Sequence, residues 1–228
     1  MLSQKGVRRA WVGNLDAILH KDIAAANRYL ARSCASAGGR LLMPFGTVNP
    51  LFPDWEEELR RCAEEHGMRG IRLYPGYHGY GLNDPAFLRL CQIASDRGLI
   101  IQIALAMEDE RMMHTLLRVE PTDPMPLLGV LQSVKHARVV LLNALRLLRG
   151  QELRQLIEIG NVYVEISTLD GVGCVEKLIR EIPCGRILFG SNAPMFYFDA
   201  AILKLRESAL SQSQHADICT RNATLLLS

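Results

Sequence analysis

Hydrophobic residues along the chain fall into seven short runs that are rich in Val, Ile and Leu. The runs are VRRAWVG (7–13), RLLMPFGT (40–47), GIRLYP (70–75), LIIQIAL (99–105), ARVVLLNA (137–144), NVYVEIS (161–167) and RILFGS (186–191). Short, nearly continuous apolar runs of this kind are typical of strands that are buried on both faces. Each run is followed by a segment with a helical pattern, and this alternation predicts βαβ units that build a parallel sheet.

The segments between the runs carry signals for helix starts and stops. DWEEELRRCAEEHG begins with a capping Asp54, has acidic residues in its first turn and ends in a glycine. NDPAFLRLCQIASDRG has a capping Asn83 or Asp84, a proline near its first turn and a glycine at its end. We also expect helices over GQELRQLIEIG and CVEKLIREI, and a long helix that starts at about Asp16.

The regular rhythm of strands and helices predicts an α/β fold of the (β/α)8 TIM-barrel type in which seven strands are visible. Because the chain starts almost directly in a strand, the unit that this scheme lacks is the first βα unit. A barrel without that strand exposes two strand edges, which favours association into a homo-oligomer. A truncated N-terminus, a second chain over the gap and an open seven-stranded sheet all stay possible. Without a linker or repeat array, residues 1–228 are expected to form a single domain.

Composition and charge exclude several classes of partner. The chain has 228 residues, is 49% hydrophobic and has a formal net charge of +2. This charge, without a run of Lys or Arg, argues against nucleic acid. No apolar stretch approaches the roughly 18 residues that span a membrane, and the N-terminus lacks the apolar core of a secretion signal. Six cysteines without CxxC spacing are expected to be reduced and mostly buried, which predicts a cytoplasmic protein.

Three motifs, in the right order, resemble the amidohydrolase-2 family of metal-dependent hydrolases. MRGIRLYPGYHGYGLNDPAFLRLCQIASDRGLIIQIAL is similar to its fourth and fifth βα units, RILFGSNAP to its last strand and ICTRNATLLLS to its closing helix. The resemblance covers residues 7–228 and implies a TIM barrel. It also implies hydrolysis or non-oxidative decarboxylation of a small substrate, with a divalent metal such as zinc that activates water.

Carried over position by position, the resemblance assigns the metal ligands to residues that are poor ligands. The family's His-x-His has no counterpart, because the chain begins after the point where it belongs. The ligand after strand five falls on Ala104, the ligand after strand six on Asn143, and the aspartate after strand eight on Asn192. A methyl group ligates nothing, and a neutral amide is a poor zinc ligand and no proton acceptor. We therefore expect a degenerate metal site and predict no cofactor.

Other polar residues lie at the predicted carboxyl ends of the strands. Arg72 and Tyr74 belong to the third run, and the PGYHGYG loop that follows carries His78, an acid–base candidate that could equally be a surface histidine. Gln102 interrupts LIIQIAL and needs a hydrogen-bond partner, either a neighbour or a ligand. Glu165 interrupts NVYVEIS, and it forms an ion pair with Arg72 if both side chains point inward.

The segment AMEDERMMH follows the fourth run and is rich in charge. The segment, including Glu108 and Arg111, could bind a polar substrate or make a different metal site, although charge runs are usually solvated faces. Asn143 and Asn192 could orient a carboxylate or carbonyl group of a ligand without a metal. We predict catalytic roles for His78 and Asn192 and substrate-binding roles for Arg72, Tyr74, Gln102, Glu108, Arg111, Asn143 and Glu165.

The sequence thus predicts an amidohydrolase-like barrel that acts on a small polar or carboxylated substrate, as a hydrolase or a non-oxidative decarboxylase. The alternative is a catalytically inactive barrel that binds a small ligand or a partner protein. A third possibility is an unrelated open α/β protein with seven strands.

Overall fold

A computed structural model of the chain describes residues 2–108 and 113–228. Each of the seven hydrophobic runs contains a strand, which confirms the prediction. The strands are β1 (Ala10–Val12), β2 (Leu42–Pro44), β3 (Gly70–Leu73), β4 (Ile100–Ala104), β5 (Arg138–Leu142), β6 (Asn161–Glu165) and β7 (Ile187–Leu188).

Helices follow the strands as the pattern predicts. They are α1 (Ile23–Ser36), α2 (Trp55–Arg60), α3 (Pro75–His78), α4 (Pro85–Asp96), α5 (Leu127–Ser133), α6 (Gly150–Ile159), α7 (Cys174–Glu181), α8 (Phe198–Arg206), α9 (Gln212–Ala216) and α10 (Asn222–Leu227). Single π-helical turns extend α2 over Arg61–Glu65 and join α9 to α10 over Asp217–Arg221. Asp84 caps α4 by accepting from the Ala86 N–H, and Pro85 follows it at the first helical position.

Two local predictions need correction. The long helix expected from Asp16 is interrupted: a 3-10 turn spans Leu15–Ile18, and α1 begins only after Asp22, whose side chain accepts from the Ala25 N–H. The Asn14 side chain caps the earlier turn, so each piece has its own polar start. The PGYHGYG loop is also partly helical, because Pro75 fixes the first position of α3.

All strand pairs are parallel, and the strands are neighbours in their sequence order. β1 pairs with β2, and β3 to β7 form a five-stranded sheet. A bridge between Gly46 and Ile71 joins the two sheets just beyond β2, with the Arg72 N–H donating to the Gly46 carbonyl at 2.6 Å. The seven strands therefore form one continuous parallel wall.

Side chains from both ends of this wall meet in one apolar cluster. It contains Trp11 of β1 and Leu188 of β7 together with residues of the strands between them. The wall therefore curls around an interior. Leu226 of α10 belongs to the same cluster, and the Leu226 carbonyl accepts from Arg138 at the start of β5. The last helix thus covers the end of the interior where the strands begin. A second, larger cluster packs the outer face of the strands against the surrounding helices.

The two outer strands of the wall have some of their backbone groups bound by other parts of the chain. At β7, the Ile187 carbonyl accepts from Asn222 Nδ2 at 2.8 Å, and the Phe189 N–H donates to the Ile218 carbonyl at 2.9 Å. At β1, the Trp11 carbonyl accepts from Arg72 Nη2 at 3.3 Å. These contacts satisfy edge groups that would otherwise be open to pairing with another strand.

The cysteines are free, as expected. Four are buried, Cys184 is half-buried and Cys219 is exposed. Within residues 2–108 and 113–228, no helix has both the length and the apolar character needed to cross a membrane.

Candidate functional site

Parallel strands deliver their carboxyl ends to one edge of the wall, and the loops that follow them surround the mouth of the interior. An apolar cluster lines part of this mouth. It contains Tyr74, Ala104 and Met107, with Ile18, Tyr77 and Leu142 packed against them. We call these six residues the mouth cluster. Ile18 belongs to the Leu15–Ile18 turn, so this turn lies against the mouth.

Arg72 and Gln102 face each other in register on β3 and β4. Arg72 Nε donates to Gln102 Oε1 at 2.8 Å, while its Nη2 reaches the Trp11 carbonyl. Gln102 is buried. The predicted hydrogen bond of Gln102 to a neighbour is thus confirmed. A role in binding a ligand stays a prediction for both residues.

Tyr74 lies directly beyond β3 and is 1% exposed. Its hydroxyl has no hydrogen-bond partner among the described residues. Burial raises the pKa of Tyr74, and the nearby charge of Arg72 opposes part of that rise. The phenol is therefore protonated at neutral pH and holds a donor that the described part of the protein does not use.

Glu165, at the end of β6, is 5% exposed, and both of its carboxylate oxygens accept hydrogen bonds. Its Oε1 accepts from the Asn143 N–H at 2.6 Å and from Ser167 Oγ at 2.7 Å, and its Oε2 accepts from the Ser167 N–H at 2.6 Å. The predicted ion pair with Arg72 is therefore wrong. Two backbone N–H groups at strand ends supply the neutralising dipoles instead, and Arg72 turns to Gln102.

Asn143 and Asn192 are the two non-glycine residues with positive φ, at 54° and 47°, in the described chain. Asparagine adopts this left-handed conformation more readily than most residues. Asn143 Nδ2 donates to the Ala106 carbonyl at 2.7 Å, and Asn192 Nδ2 approaches the Met107 carbonyl at 3.5 Å. Both amides thus reach adjacent carbonyls of the segment that follows β4, one from the end of β5 and one from beyond β7.

The Asn143 side-chain oxygen Oδ1 lies 2.8 Å from Ser167 Oγ, whose single proton goes to the charged Glu165 Oε1. Ala104 contributes a buried methyl group to the mouth cluster. In residues 2–108 and 113–228, no three His, Cys, Asp or Glu side chains come together as a metal site would require.

His78 lies at the end of α3 and packs its ring between those of Tyr74 and Tyr80, at centroid distances of 6.0 and 6.4 Å. His78 Nε2 is 3.0 Å from the Ala17 carbonyl and so carries the proton that it donates. Nδ1 is buried and has no partner among the described residues. Burial lowers the pKa of His78, against the opposing effect of the Ala17 carbonyl. The imidazole is therefore neutral at pH 7.

The charged segment after β4 is only partly described. Glu108 is half-exposed and near enough to Tyr77 to add to the rise in the Tyr77 pKa that burial causes. Arg111 lies outside the described residues. The substrate-binding roles of both remain predictions.

Sequence reasoning missed three residues that shape the site. Ser167 lies between Glu165 and Asn143, and the available signal was its position two residues after Glu165 in the same hydrophobic run. Gly190 lies against the Glu165 carboxylate. Lys204 of α8 donates to the carbonyls of residues 166 and 167, and burial lowers its pKa. No sequence signal placed Lys204 at this strand end.

Several solved structures with the same fold are decarboxylases. One is 2,6-dihydroxybenzoate decarboxylase from Rhizobium, with 17% identity and a TM-score of 0.78 over 99% of this chain and 85% of that chain. Another is 5-carboxyvanillate decarboxylase from Sphingomonas paucimobilis, with 14% identity and a TM-score of 0.77 over 99% and 80% of the two chains.

A third similar structure is a dihydroxybenzoic acid decarboxylase from Polaromonas sp., described with bound manganese and the inhibitor 2-nitroresorcinol. It has 16% identity and a TM-score of 0.76 over 99% of this chain and 83% of that chain. These likenesses establish the TIM-barrel fold. No curated protein sequence matches the chain. The model of the amidohydrolase family matches residues 13–228, and the chain therefore belongs to the amidohydrolase family.

Proposed function

We propose that this protein is an amidohydrolase-fold enzyme that acts on a small polar or carboxylated substrate at the barrel mouth, by hydrolysis or non-oxidative decarboxylation. The observation that carries the proposal is the division of the mouth into two parts. Arg72, Asn143, Glu165 and Asn192 come from four different strand ends, while the mouth cluster supplies an apolar wall. An apolar wall with a few convergent polar groups is the usual form of a small-molecule site.

The metal that the family uses does not fit the described residues. Ala104 has no ligand atom, and Asn143 offers only a neutral amide whose Nδ2 is bound to the Ala106 carbonyl. Glu165 already accepts three hydrogen bonds, so it is a positioning residue for the Asn143 and Ser167 backbone. We therefore assign no step of the reaction to a metal at these positions, although manganese is bound in similar structures.

The proton-handling group of the proposed reaction is His78. Its neutral ring donates through Nε2 to the Ala17 carbonyl, which leaves the lone pair on Nδ1 as the basic site. A neutral imidazole is suited to accept or return a proton near pH 7. Arg72 and Asn192 would hold polar groups of the substrate, and the mouth cluster would exclude water from the reacting bond.

The test is turnover by the purified protein. We would incubate it with 2,6-dihydroxybenzoate, 5-carboxyvanillate and simple aromatic amides and esters, and follow loss of substrate and release of CO2 by chromatography and mass spectrometry. We expect turnover of at least one carboxylated compound, with a reduction of about 100-fold or more in His78→Gln. The matched control is His66→Gln, which changes a half-exposed histidine outside the mouth. Turnover that His78→Gln leaves intact would remove His78 from the mechanism. No turnover of any compound would contradict the proposal.

A further inference from the structure

We propose that Gly13, Arg72 and Tyr74 form a seat for one carboxylate group inside the barrel. As a substrate-recognition site, the seat rests on the function proposed above; as a binding site, it can be tested without turnover. Three features of the described residues lead to it. Arg72 has no carboxylate partner, the buried Tyr74 hydroxyl donates to no acceptor, and both side chains lie beside Gly13.

The first feature is the incomplete pairing of Arg72. Its Nε and Nη2 donate to Gln102 and to the Trp11 carbonyl, which are both neutral. In residues 2–108 and 113–228, no carboxylate forms an ion pair with Arg72, and its guanidinium otherwise interacts with the neutral Tyr74 hydroxyl. A half-buried cation without a counter-ion has lost part of its hydration without a compensating charge, so an anion beside it is favourable.

The second feature is the Tyr74 hydroxyl. Leaving a buried hydroxyl without a partner costs about 1–3 kcal/mol, and Tyr74 is 1% exposed. An oxygen acceptor brought to this hydroxyl would recover that cost. The raised pKa of Tyr74 keeps the phenol in the form that donates.

The third feature is the convergence of these two donors on Gly13. A Cβ placed on Gly13 would lie 3.1 Å from Arg72 Nη1 and 3.2 Å from Tyr74 Oη. The third guanidinium nitrogen of Arg72 and the Tyr74 hydroxyl therefore lie beside the same glycine. The absence of a side chain there lets both approach the backbone of the segment that follows β1.

The donor set selects the chemical class of the ligand. A guanidinium nitrogen and a phenol hydroxyl both donate, so they match a group with acceptors only and a negative charge, which is a carboxylate. A carboxamide of the same shape would place an NH2 group against a donor and carry no charge. The mouth cluster, which includes Tyr74 itself, suits an aromatic body attached to that carboxylate.

The Leu15–Ile18 turn lies beside the seat. Ile18 packs on the mouth cluster, and the Ala17 carbonyl is bound to His78. The Tyr74 hydroxyl is shielded from water, so a ligand that reaches it must displace groups packed around Tyr74, of which Ile18 is one. Binding is therefore expected to alter hydrogen exchange of residues 14–19.

The experiment compares benzoate with benzamide, which differ in charge and donor pattern but hardly in size. Calorimetry on the intact chain would measure both affinities for the wild type, Arg72→Gln, Tyr74→Phe and the control Tyr29→Phe, whose side chain is 66% exposed. We expect benzoate to bind at least about tenfold more tightly than benzamide. Tyr74→Phe should weaken benzoate about five- to tenfold, and Tyr29→Phe should leave it unchanged.

Thermal unfolding without ligand distinguishes a ligand-binding role of the Tyr74 hydroxyl from a role in stabilising the fold. Because Tyr74→Phe removes an unpartnered hydroxyl, it should leave the melting temperature unchanged or raise it while benzoate affinity falls. Equal affinities for benzoate and benzamide, no benzoate binding by the wild type, or unchanged benzoate affinity in Tyr74→Phe would each overturn the proposal. If Arg72→Gln does not fold, Tyr74→Phe still decides the question.

Failure of the proposed carboxylate seat and failure of the proposed enzymatic function give different results. Benzoate binding that depends on Tyr74, without turnover of any compound, would support the seat and contradict the proposed function. Turnover of a carboxylated compound that Tyr74→Phe does not alter in KM would support the enzyme and overturn the seat.

Discussion

The Glu165 carboxylate packs directly against Gly190: a Cβ on Gly190 would overlap Glu165 Oε2 and lie 2.7 Å from Glu165 Cβ. We therefore expect Gly190→Ala to lower the free energy of unfolding by about 1–3 kcal/mol, the usual cost of overpacking. Because Glu165 is fixed by three hydrogen bonds, it cannot move away without breaking them. Chemical denaturation with urea would measure the change.

Gly185→Ala is the matched control for this prediction. A Cβ on Gly185 meets nothing within 4 Å, so this variant should unfold within about 0.5 kcal/mol of the wild type. Equal stabilities for the two variants would show that Glu165 is not held where the structure places it.

Glu165→Gln should destabilise the protein, since one oxygen that accepts from a backbone N–H becomes a donating NH2 group. Either the Asn143 N–H or the Ser167 N–H then loses its acceptor, at a cost of about 1–3 kcal/mol. Glu158→Gln makes the same chemical change on the exposed face of α6 and should be nearly neutral. A melting curve for each variant tests the pair. A neutral Glu165→Gln would mean that the carboxylate charge is not needed at this strand end.

Burial of His78 should make stability depend on pH. Since burial lowers the pKa of His78 in the folded protein, the unfolded chain takes up a proton first as the pH falls below its ordinary value of about 6.5. Stability is therefore full above that value and is lost as the pH falls towards and through the lowered folded pKa. Unfolding followed between pH 8 and 5 should show a flatter dependence in His78→Gln than in the wild type.

His66→Gln provides the control for the pH series, because His66 is half-exposed. The stability of His66→Gln should depend on pH in the same way as that of the wild type. If His78→Gln also followed the wild type, other groups would account for the loss of stability in acid.

Metal removal should leave the protein unchanged, because the methyl group of Ala104 and the neutral amide of Asn143 offer no site at the family's metal positions. We expect elemental analysis of purified protein to find far less than one manganese or zinc ion per chain. The melting temperature and the affinity for benzoate should be the same with a chelator and with added Mn²⁺. A stoichiometric metal, or a clear rise in melting temperature with Mn²⁺, would contradict this prediction.

Asn222→Asp should destabilise the outer strand β7. Asn222 Nδ2 donates to the carbonyls of Cys184 and Ile187, both at 2.8 Å, and is buried. A carboxylate would face two carbonyl oxygens with no donor, so we expect a loss of about 2 kcal/mol or more. Asn83→Asp, on an exposed residue, is the control and should be nearly neutral. Equal denaturation midpoints would argue that this contact does not hold β7.

The wall of the barrel could be predicted because strands and helices leave separate patterns in the sequence. Continuous apolar runs located all seven strands, and the cap at Asp84 with Pro85 located the start of α4. The break between the Leu15–Ile18 turn and α1 was not predicted. Hydrophobic spacing continues across it, and only the hydrogen bonds of Asn14 and Asp22 separate the two pieces.

The candidate site was predictable in its residues but not in its pairings. Polar residues inside apolar runs pointed to Gln102 and Glu165, since each needs a partner when buried. The partners of Glu165 are backbone N–H groups, which every residue carries and which no pattern singles out. Likewise, the positive φ of Asn143 and Asn192 depends on the course of the chain beyond each strand and cannot be deduced from residue type.

The hydrogen bond from Arg72 to the Trp11 carbonyl has a consequence for the open side of β1. A strand that paired there would compete with Arg72 for this carbonyl and release a second guanidinium nitrogen inside the barrel. Edge pairing and anion binding would then assist each other, and by thermodynamic linkage each would raise the affinity of the other by the same factor. One side chain would thus make closure of the barrel and occupation of its interior a single cooperative event.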